Sequence, residues 1–421
     1  MLQAMLNSLR SPELRKKLLF TAGILLVFRF GAYVPVPGVE PERLAAALEN
    51  QGTTNILNFL NLFAGGALTR FAVFALGIMP YITASIILQL LTVVIPSLER
   101  LQKEGESGYA KITQYTRYMT VGLAFLQSMA YVLYFRSQDA LPGVGLSRTF
   151  LIVISLTAGT TLVMWLGELI TQHGVGNGIS LLIFVSIVSA LPDAIRGWLG
   201  LPPVTAVVIG VIAAAIVVGV VFVNEGVRRI PIQYAKRQVG RRMTSGGSTY
   251  MPIRVNMAGV IPVIFAASIT ILPPTIAELA GGTGWAQGVA DFLSPGSWWF
   301  ILFEGLLIVL FTYFYTAVQF NPTEQADNLK KYGGFIPGVR PGRPTAIYLD
   351  RVVSRLTLPG AIYLAIIAEF PNIVFRYLPE SNVFFGLFGG TSMLIVVGVA
   401  LDTMRQMEAQ LMMRSYEGFL Q

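Results

Sequence analysis

The sequence predicts an all-α polytopic membrane protein whose ten transmembrane helices form two inverted halves of five. Three observations support this prediction: an apolar composition that is poor in charge, a bias of lysine and arginine toward alternate loops, and a Gly/Pro motif that occurs twice. The chain has 421 residues, of which 54% are hydrophobic and 12% are charged. A typical soluble domain carries about twice that charged fraction.

Apolar stretches of about 20 residues, the length that crosses a hydrocarbon core, recur along the chain. The first stretch follows a basic segment but lacks the small-residue exit of a cleaved signal peptide, so we interpret it as a retained first span. The ten predicted spans are Leu18–Val34, Phe71–Ile95, Tyr118–Phe135, Phe150–Ile170, Ile179–Leu191, Val204–Val223, Met257–Leu272, Trp298–Phe320, Leu356–Phe375 and Val383–Leu401.

The distribution of lysine and arginine between these spans predicts the orientation of the chain. With the amino terminus inside, 23 of the 30 basic residues fall in cytoplasmic segments, six fall outside, and Arg29 lies within a span. Cytoplasmic loops of membrane proteins carry an excess of Lys and Arg. Both termini, and the two long loops at residues 224–255 and 321–355, are therefore predicted to be cytoplasmic.

The pattern G-x-x-P-x-I-x-A occurs at residues 77–84 and again at residues 259–266. The first copy lies on the second span and the second copy on the seventh, so the two cross the membrane in opposite directions. Matched Gly/Pro-interrupted segments in two halves of a membrane protein indicate an inverted repeat with a site at its interface. We therefore divide the chain into residues 1–191 and residues 192–421. We expect each proline to kink its helix beside protein or water-filled space.

Residues 58–70, ahead of the second span, are moderately apolar, too short to cross a membrane, and contain a Gly-Gly pair and a terminal arginine. The residues fit a re-entrant half-helix that folds into the centre of the protein. They fit equally well an interfacial helix on the outer leaflet.

Isoleucines cluster around both copies of the motif and at the start of the fifth span. Three of them on the second span recur every fourth residue and so share one helix face. A ring of such side chains around a pore would form a hydrophobic constriction that excludes ions. Spacing alone favours the simpler interpretation that β-branched residues fill a membrane bundle. The isoleucines concerned are Ile78, Ile82, Ile86, Ile179, Ile183, Ile261 and Ile264.

The residue types and motifs on which most catalysis and metal binding depend are missing from the sequence. Cysteine is absent and His173 is the only histidine, which excludes disulfides, thiolate ligands and multi-histidine metal sites. Walker A, H-E-x-x-H and G-x-S-x-G motifs are also absent, and no carboxylate pair is evident. We therefore expect no cofactor, no metal centre and no enzymatic activity, so that any energy input comes from a partner.

Four ionisable residues fall within predicted spans, each nearer to a span end than to its middle: Arg29, Glu168, Glu304 and Glu369. Residues of this kind are candidates for function by default. Because long side chains near helix ends can reach the headgroup region, we expect contact with headgroups to account for these four.

The two long cytoplasmic loops are basic and rich in turn residues. Pro-Gly pairs on both sides of Arg340 predict a rigid turn, which suits the presentation of one charge to a partner. Such loops would dock anionic lipid, RNA or an acidic protein surface. The topology of the chain alone also demands positive charge there, although not the turn around Arg340.

A series of ordered motifs, running nearly from end to end, resembles the bacterial SecY family, whose members form the channel of the Sec protein translocase. The matching segments are residues 63–68, 77–82, 103–108, 114–118, 176–180, 234–237, 255–262, 326–331, 337–342 and 388–397.

This resemblance implies two five-helix halves around a central hourglass pore. It also implies a protein-conducting channel that passes unfolded secretory polypeptides across the plasma membrane and releases hydrophobic segments sideways into lipid. The pore ring would consist of Ile78, Ile82, Ile179, Ile183, Ile264 and Ile395. The plug would be a short helix at residues 61–70 that includes Leu62, Phe63, Gly65, Gly66 and Arg70. The polar positions of the lateral gate would be Thr83 and Gln127.

The resemblance further implies a location in the bacterial inner membrane and a set of partners. These are the SecE and SecG subunits, the SecA motor ATPase, the ribosome, the secretory polypeptide with its signal sequence, and anionic lipid. The docking residues would be Arg340, Lys236, Arg237, Arg241 and Arg242. The main alternative is an ion-coupled secondary transporter with inverted repeats, which requires polar side chains at the midplane breaks, where this sequence has Ile, Val and Ala.

Overall fold

The computed structural model describes residues 11–37, 39, 61–137, 145–234, 238–239, 242–243, 248–279, 288, 292, 297–377 and 389–417. The main helices within these residues are α1 Pro12–Gly31, α2 Met79–Val94, α3 Pro96–Lys103, α4 Glu106–Ser137, α5 Leu146–His173, α6 Gly178–Val188, α7 Leu191–Leu199, α8 Pro203–Glu225, α9 Ile261–Leu279, α10 Trp298–Gln319, α11 Pro322–Lys331, α12 Arg343–Tyr377 and α13 Gly390–Glu417. The strands are β1 Val227–Tyr234, β2 Gln238–Val239, β3 Arg242–Met243, β4 Ser248–Arg254 and β5 Gly334–Phe335.

Each of the ten predicted spans coincides with a helix: α1, α2, α4, α5, α6, α8, α9, α10, α12 and α13. Within the described part of the chain, five helical stretches are long and apolar enough to cross a membrane, and α2 with α3 forms a sixth if a 99° bend is allowed. The surface of α8 is largely exposed and apolar, including Val204, Val211 and Phe222. A helix that leaves such a surface uncovered matches lipid rather than water. The protein is a multi-pass membrane protein.

The repeated motif has the same local structure in both copies, and this structure differs from the predicted kink. Gly77 and Gly259 both have positive φ, at 56° and 65°. Helix α2 then begins at Met79 and α9 at Ile261, which places each proline at the second helical position. The amide of a first-turn residue has no partner within the helix, so proline is well tolerated there. Both prolines therefore start a helix instead of bending one.

The hydrogen bonds of the first turn also match between the two copies. The amides of Tyr81 and Ile82 donate to the carbonyl oxygen of Ile78, each at 3.1 Å. The amides of Val263 and Ile264 donate to the carbonyl oxygen of Val260, each at 3.2 Å. The sequence repeat is thus also a repeat of backbone geometry.

Several predicted span boundaries were wrong. The second span was predicted from Phe71, but residues 71–78 form turns, and Phe71 itself has φ of 45°. The fifth span is longer than predicted because α7 follows α6 closely, and α4 and α12 begin at least ten residues before their predicted spans. Residues 383–388 of the tenth predicted span lie outside the described residues.

The two long loops contain a small β-sheet that sequence analysis did not predict. Strand β1 pairs antiparallel with β4 along its length and with β5 through Gln233 and Tyr234, giving the order β4-β1-β5. Alternation along β1 buries Ile230 and Ile232 against Leu349 of α12 and the rest of a separate hydrophobic core. Because β1 comes from one loop and β5 from the other, the two loops share one folded unit.

The helices pack against one another within each half, and the two halves meet along lines of contact that we call seams. Within the first half α4 packs against α2 and α5, and within the second half α10 packs against α9 and α12. Contact between the halves occurs along two seams, one where α9 meets α2 and α4 and one where α6 meets α13. One continuous hydrophobic cluster of buried residues extends through both halves. The centre of the molecule is thus assembled from both halves.

Substitution of Gly159 with alanine is expected to lower the stability of the protein. A Cβ atom at Gly159 in α5 would overlap the carbonyl oxygen of Val73, so the backbone before α2 would have to move. Overpacking of this kind costs about 1–3 kcal/mol. We expect a lower midpoint of thermal unfolding in detergent.

Gly122→Ala in α4 is the matched control, because a Cβ atom at that position meets no atom within 4 Å. Alanine also favours a helix over glycine by up to about 1 kcal/mol. Its unfolding midpoint is expected to stay the same or to rise. Equal losses of stability in the two variants would contradict the close packing of α5 on residues 72–75.

Candidate functional site

The six isoleucines of the predicted ring all belong to, or pack against, one large hydrophobic cluster that extends through both halves. Five of them are buried within it, and Ile179 is half-buried and packs against it. They come from α2, α6, α9 and α13 and the turn before α2, so both halves contribute.

The segment at residues 61–70 does not form the predicted helix throughout. Only residues 61–63 are helical, and residues 64–70 form consecutive turns. Gly65 and Gly66 have φ of 65° and 80°, values that a right-handed helix excludes. The side chain of Asn61 closes the segment by accepting hydrogen bonds from the amides of Leu68 and Thr69, both at 3.1 Å. The segment is a compact loop held by its own asparagine.

This loop reaches the centre of the molecule through Gly65. A Cβ atom at Gly65 would lie 3.3 Å from the Cα atom of Ser186 in α6, so only glycine allows this approach without adjustment. Leu62 and Phe63 are buried, and Phe63 belongs to the central hydrophobic cluster. The loop therefore packs against the same apolar centre as the isoleucines.

Arg29 binds this loop through a hydrogen bond. The expectation that Arg29 contacts headgroups was therefore wrong. The Arg29 guanidinium donates hydrogen bonds to the carbonyl oxygen of Gly65 and, at 2.9 Å, to the hydroxyl of Tyr33. Arg29 and Arg70 both lie over the Tyr33 ring, at 4.9 and 4.1 Å from its centroid. The acceptor, Gly65, has a positive φ of 65°. The sequence pattern contains no signal of this contact.

The predicted gate positions lie on the helices that form the first seam between the halves. Thr83 is buried on α2, and its hydroxyl donates to the carbonyl oxygen of Met79 at 3.1 Å. Gln127 is half-buried on α4. Helix α9 packs against both α2 and α4, the helices that carry the two predicted gate positions.

A cavity of about 420 Å³ lies between the halves on the side of the second seam. Asn177 and Ser180 of α6 line it from one half, and Asp402 and Arg405 of α13 line it from the other. Its wall also includes Asn256, whose buried Oδ1 atom accepts no hydrogen bond within the described structure. Sequence analysis did not identify this polar cavity, because its lining is brought together from five separate segments.

A hydrogen-bond network fixes the wall of this cavity. The Asn256 amide donates to Asn224 Oδ1 at 3.0 Å and to the carbonyl oxygen of Gly259 at 3.1 Å. Arg405 donates to the carbonyl oxygen of Asn224 at 2.8 Å and pairs with Glu225 at 2.9 Å. The network ties the end of α8, the start of α9 and the middle of α13 together.

Arg340 is exposed on a turn between two glycines with positive φ, Gly338 at 81° and Gly342 at 97°. The Thr345 hydroxyl donates to the carbonyl oxygen of Arg340 at 2.8 Å, which fixes the turn against the start of α12. The structure does not describe the side chains of the other predicted docking residues. Lys236, Arg237 and Arg241 lie outside the described residues, and Arg242 lies in the short strand β3 without a described side chain.

The expectation of headgroup contact also fails for the three glutamates. Glu168 of α5 forms a two-point ion pair with Arg117 of α4, at 2.8 and 2.7 Å. Glu304 of α10 and Glu369 of α12 are both buried and lie in hydrogen-bond contact with each other. Because the two glutamates are separated by 65 positions along the chain, sequence analysis did not reveal this carboxyl pair.

Comparison with known families decides the classification. Residues 72–404 match the SecY family model. This chain belongs to the SecY family. Its relatives include the protein translocase subunit SecY of Streptomyces galbus, 50% identical over 443 aligned positions that cover all of both chains. The SecY subunit of Mycobacterium bovis is 49% identical over 442 positions, again with both chains fully covered.

Solved structures of the family share this fold at lower sequence identity. A protein-conducting channel aligns with a TM-score of 0.65 and 18% identity, covering 93% of this chain and 91% of its own. The Sec61 channel of a canine ribosome-channel complex from the endoplasmic reticulum aligns with a TM-score of 0.62 and 17% identity, over the same fractions. The predicted SecY fold, with ten helices in two halves, is therefore confirmed.

Proposed function

We propose that this chain forms a channel that conducts unfolded secretory polypeptides across the membrane and releases hydrophobic segments sideways into lipid. The observation that supports it most is that isoleucines from both halves and apolar residues of the loop at residues 61–70 share one hydrophobic cluster. No feature of the described structure or of the relatives favours an ion-coupled transporter.

The proposed seal consists of the ring Ile78, Ile82, Ile179, Ile183, Ile264 and Ile395, with residues 61–70 as the plug. A hydrophobic constriction blocks ions by expelling water and needs no fixed charge. Isoleucine side chains can part around a passing chain and close again with no polar group left unpaired. The hydrogen bond from Arg29 to the Gly65 carbonyl holds the plug in place until translocation begins.

The proposed gate is the seam where α9 meets α2 and α4, with Thr83 and Gln127 as its polar positions. Separation of the halves, residues 1–191 and 192–421, along this seam would connect the pore with lipid. A sufficiently apolar segment would then leave the channel by the same transfer energetics that govern helix insertion. The polar cavity at the second seam would receive the polypeptide before it reaches the ring.

We propose the bacterial inner membrane as the location, with both termini in the cytoplasm. The charge distribution between spans supports this orientation. The unit formed by both long loops would dock the SecA ATPase or the ribosome through Arg340, assisted by Lys236, Arg237, Arg241 and Arg242. The presence of canine Sec61 in a ribosome-channel complex supports the ribosome as a partner. SecE, SecG and anionic lipid complete the proposed assembly.

Reconstitution tests this function directly. We expect vesicles that contain the chain with its SecE and SecG partners, supplied with SecA and ATP, to take up an unfolded precursor into a protease-protected space. Vesicles without the chain serve as the control. Saturable uptake of a small solute with no precursor protection would favour the transporter instead.

Replacement of Gly65 with alanine is expected to increase ion leakage through resting vesicles severalfold. The added Cβ atom would press on the backbone of Ser186, 3.3 Å away, and displace the plug from the ring. Leakage is measured as the decay of an imposed potassium gradient.

Gly66→Ala is the matched control, because Gly66 has a similar positive φ but its Cβ atom would meet only the tip of Arg70, at 3.5 Å. Both variants share the backbone strain of alanine at positive φ, about 1 kcal/mol. We expect Gly66→Ala vesicles to leak like the unmodified protein. Equal leakage from both variants would argue against a seated plug.

A further inference from the structure

Two glutamates that the channel function does not use lie together inside the second half of the molecule. Glu304 and Glu369 are only 4% and 5% exposed, although they belong to different helices, α10 and α12, that pack along one another. Gly305, the neighbour of Glu304, lies beside Glu369, because a Cβ atom at Gly305 would stand 3.9 Å from Cγ of Glu369, an ordinary van der Waals distance.

The hydrogen bonds of Glu369 leave one buried oxygen that requires a donor. The Asn372 amide donates to Oε2 of Glu369 at 2.9 Å. Oε1 is buried and receives no hydrogen bond from any described protein donor. The group in contact with Glu369 is the carboxyl of Glu304, which can donate only when it carries a proton. A proton on Glu304 supplies a donor to Glu369, and Oε1 is the Glu369 oxygen that has no other described donor.

The surrounding helices offer no described basic side chain that would neutralise two negative charges. Helix α10 contains no lysine, arginine or histidine, and α12 contains none between Arg355 and Arg376. The start of α13, which packs on residues 367–371 through Gly390, is uncharged as far as Asp402. The other titratable residues on these helices are Glu278 of α9, Tyr313 and Tyr315 of α10, Glu324, Asp327, Lys330 and Lys331 of α11, Arg343, Tyr348, Asp350, Arg351, Tyr363 and Tyr377 of α12, and Arg405, Glu408, Arg414, Tyr416 and Glu417 of α13.

Most of the charged groups are distant along the chain from the two glutamates. The charged residues of α11 come after the far end of α10, and Asp402 lies 12 residues after Gly390, the first residue of α13. The side chains of Glu278 and Arg376 lie outside the described residues. Two carboxylates in contact in such surroundings would repel one another and lose their hydration. A single shared proton removes both penalties.

We propose that Glu304 and Glu369 form a proton-binding site, a carboxylic acid paired with a carboxylate, that joins α10 to α12. The site takes up one proton from water and releases it to water, and no other reactant is involved. In the orientation proposed above it lies in the outer half of the bundle. Loss of the proton at alkaline pH places two negative charges in contact and loosens α10 from α12.

Infrared spectroscopy of the purified protein in lipid nanodiscs tests this site without any transport assay. The unmodified protein is expected to show the carbonyl stretch of a protonated carboxyl group at neutral pH. The double variant Glu304→Gln/Glu369→Gln is expected to lose that band. Glu168→Gln is the matched control, because Glu168 forms an ion pair with Arg117 at 2.7 Å and does not belong to the glutamate pair, and it is expected to keep the band. An unchanged band in the double variant would overturn the proposal.

The pH dependence of stability provides a second measurement. The folded chain holds a proton that exposed glutamates of the unfolded chain release, so stability falls as the pH rises. We expect the thermal midpoint of the unmodified protein and of Glu168→Gln to fall from neutral to alkaline pH, and that of the double variant to change less. Parallel curves for all three proteins would contradict the proposal. So would a midpoint that rises with added sodium or calcium only when both glutamates are present, which would indicate a cation site.

Discussion

Vesicles that contain the double variant Ile82→Gly/Ile183→Gly are expected to leak ions about tenfold faster than vesicles with the unmodified protein. Both side chains are buried in the central cluster, one from each of two helices, α2 and α6. Removal of a buried aliphatic side chain costs about 2–5 kcal/mol and leaves a cavity. If the cavity lies at the constriction of the pore, water enters it. The free-energy barrier to the passage of ions then falls, because a hydrophobic constriction blocks ions only while it excludes water. The decay of a potassium gradient, recorded without any substrate, measures the effect.

The double variant Ile86→Gly/Ile187→Gly separates a seal from general packing. These two isoleucines are also buried in the central cluster and lie one turn further along the same two helices. The loss of buried area and of helix propensity is therefore the same. We expect this control to lower stability but to leak slowly. Equal leakage from both double variants would argue against the proposed ring.

Arg340→Glu is expected to block motor-driven export, with the export rate lowered at least about tenfold. The protein is still expected to assemble in the membrane. Arg340 is exposed on a turn whose glycines hold positive φ, and its carbonyl oxygen accepts from Thr345. A charge fixed in this way loses little entropy on binding, so it contributes more than a flexible one. Reversal of that charge at an acidic partner surface replaces attraction with repulsion, which costs several kcal/mol. Uptake of a precursor by vesicles with SecA and ATP measures the loss.

Arg351→Glu makes the same change of charge at an exposed site further along α12, away from the turn. We expect that variant to retain most of its export. If Arg351→Glu and Arg340→Glu lose export equally, the effect reflects the overall charge of the loops and not the turn. Wild-type export by Arg340→Glu would remove its docking role.

The sequence predicted the membrane class, the number of spans and the repeat because each depends on local pattern. The positions of Gly77 and Gly259 along the chain revealed the repeat. The role of the prolines could not be predicted, because a proline in a helix interior and a proline in a first turn look alike until the φ of the preceding glycine is known. Because the φ of Gly77 was unknown, the second span was predicted to start at Phe71, whereas α2 starts at Met79.

Contacts that depend on tertiary structure were beyond sequence analysis. Arg29 resembles any arginine near a span end, and its carbonyl partner, Gly65, becomes evident only in the folded structure. The buried pair Glu304 and Glu369 arises because α10 and α12 pack along one another. The sheet formed by both long loops was missed because β5 has only two residues and gives no alternating pattern.

The proposal that polypeptides pass between the two halves through the isoleucine ring is tested most directly by cross-linking. The chain contains no cysteine, so a cysteine introduced at Ile183 or Ile395 is unique. A precursor that carries one cysteine and is stalled midway is expected to form a disulfide with either position. A cysteine at Val211, on the exposed surface of α8, is expected to form none. Cross-links at Val211 with none at Ile183 or Ile395 would show that the polypeptide takes another path.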